Sequence, residues 1–196
     1  VVFERIGDYA KDEILIVGDS LTSDIKGGNN AGILTCWYNP KKMENTKGVT
    51  VDFEITNLCN LNCITCYNRS GLNRCRKELS MAQLSQIIDR LSSEFDCNTF
   101  SFAGGEPLLH SELSELLNYT QSHPEFKFSF VTNGTVHNEA FFNAIRSNPE
   151  QYRVQISLDG STEEINALTR GKGSFERTIR FIKRLTDFSF RPAIKM

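Results

Sequence analysis

The chain has 196 residues, enough for one or two domains with a sizeable core. Its 39% apolar and 23% charged residues exclude a disordered chain, and no apolar run approaches the roughly 20 residues of a membrane span. A formal charge of −2, from 22 basic and 24 acidic residues, gives no electrostatic ground for nucleic acid or an anionic membrane as partner. Val1 to Arg5 has neither the basic nor the apolar region of a signal peptide. Six cysteines without an export signal predict a reducing, cytoplasmic setting, where they act as ligands or buried thiols rather than disulfides.

Residues 2–10 read as the end of a helix. Ile14 to Val17 is a continuous apolar run suited to a buried parallel strand, and it ends at Gly18-Asp19-Ser20. A short helix around Ile25 follows, then a second strand from Ile33 to Trp37. The polar stretch from Asn39 to Gly48 reads as a linker. Val51, Phe53 and Ile55 then alternate with polar residues, a strand that runs into a cysteine-rich loop. Ser80-Met-Ala-Gln83 is a capping box ahead of Leu84, Ile87, Ile88 and Leu91 at helical spacing.

The strand Thr99 to Ala103 ends at Gly104-Gly105-Glu106-Pro107, and Ser111 is expected to cap a helix carrying Leu113, Leu116 and Leu117. The strand Lys127 to Val131 ends at Thr132-Asn133-Gly134, and Asn138 caps a helix carrying Phe141, Ala144 and Ile145. The strand Arg153 to Leu158 ends at Asp159-Gly160. Ser174 is expected to cap a helix carrying Phe175, Ile179, Ile182 and Leu185, and Ala193 to Met196 begins a fifth strand. This alternation predicts an α/β fold of parallel βαβ units, in which sites gather at the carboxyl ends of the strands. The cysteine loop and the three later turns all fall there.

Cys59, Cys63 and Cys66 are spaced C-x3-C-x2-C on one loop. A single zinc ion needs a fourth ligand, which Cys75 could supply. Three thiolates around a four-iron cluster instead leave one iron open to a further ligand. Cys36, Cys75 and Cys97 otherwise have no ligand spacing and read as free thiols, and His110, His123 and His137 are isolated. Arg69, Arg74, Arg76 and Lys77 read as a solvated basic run, and Asn133 as a residue that shapes its turn.

Together, Cys59, Cys63 and Cys66, Gly104-Gly105-Glu106-Pro107 and Ile156-Ser157-Leu158-Asp159-Gly160 make residues 49–196 resemble the radical S-adenosylmethionine (SAM) superfamily. The resemblance implies a partial (β/α)6 barrel, cut before its last strand. It implies a [4Fe-4S] cluster on the three cysteines, SAM chelated to the open iron, and reductive cleavage of SAM to a 5′-deoxyadenosyl radical that abstracts hydrogen. It places Gly104, Gly105, Glu106 and Pro107 near the SAM amino group, Ser157 in contact with SAM, and Arg170 on the SAM carboxylate. Asp159 shares the strand parity of Ser157 and is expected on the same rim. Where the family often has an aromatic residue before the third cysteine, this chain has Thr65, with Tyr67 just after. The run from Gln155 to Arg177 is similar to the branch that matures peptides and sulfatases. This implies a peptide or protein substrate and a flavodoxin- or ferredoxin-like electron donor.

Residues 1–40 resemble the C-terminal piece of a haloacid dehalogenase-like phosphatase, a Rossmann-like fold, through Gly18-Asp19, Asp24, Gly27-Gly28 and Ala31-Gly32. The resemblance implies Mg²⁺ at Asp19 and Asp24, but the family's nucleophilic aspartate motif is absent, so no phosphatase activity is expected. Met43 looks like the natural start of the second unit. The expected organisation is a fragment at 1–40, a linker at 41–48 and a truncated radical SAM core at 49–196. A phosphatase-like remnant without radical activity, or a non-catalytic fragment, is the alternative.

Overall fold

The computed structural model describes residues 15–18, 34–38, 50–72, 75–95 and 97–195. Among the described residues, seven strands form one sheet in chain order: β1 Leu15–Gly18, β2 Leu34–Tyr38, β3 Thr50–Thr56, β4 Thr99–Gly104, β5 Lys127–Thr132, β6 Tyr152–Ser157 and β7 Ala193–Lys195. From β3 to β7 every neighbouring pair is parallel, so five strands build the expected α/β sheet. β1 and β2 are parallel to each other, and β2 joins β3 antiparallel, with Cys36 opposite Phe53. The two sequence segments therefore contribute to one sheet, and the outer edge of β3 is paired.

Helix α1 (Met81–Phe95) crosses from β3 to β4, α2 (Leu113–Ser122) from β4 to β5, and α3 (Glu139–Ser147) from β5 to β6. Two helices, α4 (Glu163–Arg170) and α5 (Ser174–Thr186), lie between β6 and β7. The capping box forms on α1: Ser80 N–H donates to Gln83 Oε1 at 3.0 Å and Gln83 N–H to Ser80 Oγ at 3.3 Å. Asn138 caps α3 by accepting from Phe141 N–H at 3.0 Å.

Two expected caps are absent. Ser111 turns its hydroxyl to Glu78, and Glu112 precedes α2 without a side-chain cap. Ser174 is the first residue of α5 rather than its cap, and its hydroxyl donates to Gly171 O at 2.6 Å. In both places a side chain beyond local reach competes for the serine: the Glu78 carboxylate for Ser111, and the amide of Asn166 for Ser174 at 2.8 Å. The α4 helix, not anticipated from the sequence, starts at Thr162, which accepts from Ile165 N–H at 3.4 Å.

The parallel register sorts side chains to two faces. Val51, Phe100, Phe128 and Tyr152 form one row, and Phe53, Phe102, Phe130 and Val154 the next. These rows pack with Leu84 and Ile88 of α1, Leu116 of α2, Phe141 and Ile145 of α3 and Phe181 and Leu185 of α5 into one buried core. The Phe102 ring lies 5.9 Å from Phe128 and 5.2 Å from Phe130, centroid to centroid. The other face carries Asp52, Ser101, Ser129 and Arg153 in a polar row. Among the described residues, no helix is long and apolar enough to cross a membrane.

Phe102 is fully buried at the centre of this aromatic layer. Phe102→Ala is expected to cost about 3–5 kcal/mol of unfolding free energy, measured by urea denaturation of the apo protein. A loss under about 1 kcal/mol would contradict the packing described.

Candidate functional site

The β3 strand ends at Thr56, and the loop that follows returns to it. Asn57 N–H donates to Lys77 O at 3.1 Å and Leu79 N–H to Ile55 O at 3.1 Å, closing the loop at its base. Within it, Cys66 N–H donates to Cys63 O and Arg69 N–H to Cys66 O, so the cysteines stand on tight successive turns. Cys59, Cys63 and Cys66 are all partly exposed. Cys75 is exposed and Cys97 buried. Burial pushes the Cys59 and Cys63 thiols above their ordinary range, and the Arg170 guanidinium opposes this at Cys63. Metal binding must then displace protons from them.

Among the described residues, no group of three or more His, Cys, Asp or Glu side chains is gathered tightly enough for one ion. Zn–S bonds of about 2.3 Å would draw four sulfurs close around one centre. In a multi-iron cluster the thiolates attach to different irons and stand further apart. Three thiols on one loop are a donor set that matches a cluster taking three cysteine ligands.

The Gly104-Gly105 turn is built against the start of the cysteine loop. Gly105 N–H donates to Thr56 O and Glu106 N–H to Leu58 O, both at 2.7 Å. A Cβ on Gly104 would stand 2.3 Å from Thr56 O, and one on Gly105 2.0 Å from Leu58 O, so only glycine permits this approach. Gly104 also has a φ of 123°, which a side chain would strain. The close approach seen here is to the protein's own backbone, at Thr56 and Leu58. Both of these N–H donors are thus taken within the protein.

Glu106 is completely buried. Its carboxylate accepts from Leu108 N–H at 3.2 Å, Thr132 Oγ1 at 2.7 Å and Asn133 N–H at 2.8 Å, and so ties the end of β4 to the end of β5. Burial pushes its carboxyl up to about 7, with the three donors opposing. Pro107 lies buried in the following 3₁₀ turn. Ser157 is half-buried at the end of β6.

Arg170 ends α4 and bends over the cysteine loop. Its Nη2 donates to Asp159 Oδ1 at 2.9 Å, and its Nη1 lies 4.0 Å from Cys63 Sγ. Thr169 Oγ1 donates to Asp159 Oδ2 at 2.7 Å, and Ile64 N–H donates to Thr169 O at 2.9 Å, clamping loop and helix together. The Arg170 Nε is buried and has no partner, an unmet donor at the edge of the three-cysteine loop. Asn166, fully buried, holds Asp159 N–H through its Oδ1 at 2.9 Å. Tyr67 gives its hydroxyl to Glu54.

The cysteines, the Gly104-to-Pro107 turn, Ser157 and Arg170 thus sit at the carboxyl ends of β3, β4 and β6, as expected. Asp19 and Asp24 lie outside the described residues. The sequence reading missed α4 and the roles of Asn166 and Thr132. The α4 signal was legible: Thr162 followed by Glu163 and Glu164, with Gly171 as a stop.

The Radical SAM superfamily model matches residues 53–195, and a HAD-hydrolase-like family model matches residues 2–54. The mycofactocin maturase MftC of Mycolicibacterium smegmatis is 38% identical over 145 residues, which is 74% of this chain and 36% of that protein. The antilisterial bacteriocin subtilosin biosynthesis protein AlbA of Bacillus subtilis is 33% identical over 138 residues, 69% of this chain and 30% of that protein. The chain therefore spans about a third of the length of these relatives. The solved structure of a tagged form of anSMEcpe with bound AdoMet superposes with a TM-score of 0.60 at 26% identity, covering 73% of this chain and 41% of that one.

Glu106 yields a pH prediction for the apo protein. The folded state keeps its proton up to about 7, whereas an unfolded glutamate loses it near 4.5. Folding is favoured on the acid side of that window and weakens as pH rises through it, by on the order of 3 kcal/mol. Chemical denaturation at several pH values between these limits should show the decline in the unsubstituted chain. The decline should be absent in Glu106→Gln, and equal slopes in both would refute the assignment.

Proposed function

The chain belongs to the radical SAM superfamily, and from that premise we propose that it is the cluster- and SAM-binding part of an enzyme that modifies a peptide or protein. The observation that carries this reading is the buried, unpartnered Arg170 Nε beside the three-cysteine loop. A guanidinium held there suits a carboxylate ligand. The names of its relatives, a maturase and a bacteriocin biosynthesis protein, support the substrate class. The buried, unmet donor and the three thiols of one loop would suit a cluster with SAM bound beside it.

When bound, the cluster and SAM supply reductive cleavage of SAM to a 5′-deoxyadenosyl radical that abstracts hydrogen from the substrate. The protein's own contribution is to bind and orient. Cys59, Cys63 and Cys66 hold the cluster as thiolates. The Gly104–Pro107 turn accepts from the SAM amino group, Ser157 contacts SAM, and Arg170, steadied by Asp159, takes the SAM carboxylate. A flavodoxin- or ferredoxin-like protein supplies the electron. Mg²⁺ at Asp19 and Asp24 belongs to the same proposal for the HAD-hydrolase-like segment.

Anaerobic reconstitution with iron and sulfide is expected to load about four irons per chain, and Cys63→Ala to lose the cluster. Adding SAM and a reductant should release 5′-deoxyadenosine. Colourless protein that binds one zinc would end this reading. Arg170→Lys, which loses the planar fork, is expected to weaken SAM binding by roughly 10- to 100-fold in calorimetry while iron content stays unchanged. Undiminished affinity would remove Arg170 from the site.

A further inference from the structure

Asn133, read from the sequence as a turn residue, has a second task in the structure. Its backbone N–H donates to Glu106 Oε2 at 2.8 Å, and its carbonyl accepts from Thr178 Oγ1 of α5 at 2.9 Å. Its Oδ1 accepts from Thr135 N–H at 2.8 Å and from Thr135 Oγ1 at 2.7 Å. Because a backbone N–H can only donate, the amide oxygen must face Thr135, and this settles which way the amide points. The Nδ2 is thereby turned to the cysteine loop, 3.0 Å from Asn60 Oδ1 and 3.7 Å from Cys59 Sγ. Asn60 Nδ2 closes the ring on Thr135 Oγ1 at 2.8 Å. Three of the four polar groups of Asn133 thus immobilise it, and the fourth, Nδ2, with two hydrogens, reaches both Asn60 and the Cys59 sulfur.

We propose that Asn133 is a positioning residue for the iron–sulfur site, whose Nδ2–H donates to the Cys59 thiolate and raises the reduction potential of the cluster. The inference rests on the cluster reading above. A hydrogen bond to a ligating sulfur draws electron density from it and stabilises the reduced state, one of the means by which proteins set such potentials. The donor comes from the β5 turn rather than from the cysteine loop itself. The loop's position against the sheet and the cluster's potential are therefore coupled through one side chain.

The test is an EPR-monitored redox titration of the reconstituted full chain, with Asn133→Ala and Asn133→Asp against Asn138→Ala. Asn138→Ala loses the α3 cap, so it weakens the fold without touching the loop. Asn133→Ala is expected to move the midpoint to a more negative potential. Asn133→Asp, which keeps the Thr135 acceptor but faces Cys59 with a negative charge, should move it further. Asn138→Ala should stay at the unsubstituted value. An unchanged midpoint in Asn133→Ala would overturn the proposal. If Asn133→Ala takes up no iron, a melting temperature equal to that of the unsubstituted chain supports a role at the thiolate. Melting below Asn138→Ala would show a purely structural role and overturn it. Failure of the unsubstituted chain to take up iron would overturn the cluster reading itself, a result distinct from any difference between variants.

Discussion

The rim of this sheet depends on the burial of one carboxylate. Glu106 is fully excluded from solvent, and its two oxygens accept from Leu108, Thr132 and Asn133. A buried carboxyl without such donors would be costly, so the donors and the acid require each other. The same residue's N–H bonds Leu58 O, which fixes the beginning of the cysteine loop. One side chain and its own backbone therefore hold three strand ends in register: β3 through Leu58, β4 through Glu106 itself and β5 through Asn133.

That arrangement explains why the glycines precede Glu106. The two strand-end backbones approach so closely that no Cβ fits at Gly104 or Gly105. The approach ties the turn to the start of the cysteine loop through Gly105 N–H and Glu106 N–H.

The two faces of the sheet divide the work. The aromatic rows under α1, α2, α3 and α5 supply the core, and the helices cover them. The α4 helix is different. Asn166 is its buried residue, while Ile165 and Leu168 are exposed. It contributes little to the core and instead carries Thr169 and Arg170 to the cysteine loop. On α5 the buried stripe is Ser174, Thr178, Phe181 and Leu185, and the expected Phe175, Ile179 and Ile182 are half-buried. The helix is rotated so that Ser174 reaches Asn166 and Thr178 reaches Asn133. Phe181 and Leu185 keep the apolar half of that stripe in the core.

The strand positions, the parallel α/β character, the α1 and α3 caps and the gathering of the loops at one end were legible in the sequence. Each depends on local periodicity or on a few neighbouring residues, which a linear reading can recover. The spacing of Cys59, Cys63 and Cys66 and the turn at Gly104 to Pro107 carried the family resemblance for the same reason. Tertiary structure alone decided the rest. Nothing local marks Glu106 as buried, turns Ser111 from its helix toward Glu78, or pairs β2 with β3 antiparallel. Nor does the local sequence bring Arg170 to Cys63 or aim Asn133 at Cys59, residues separated by 107 and 74 positions. Those contacts exist because packing places distant loops side by side, and a buried polar group then takes whichever partner that packing supplies.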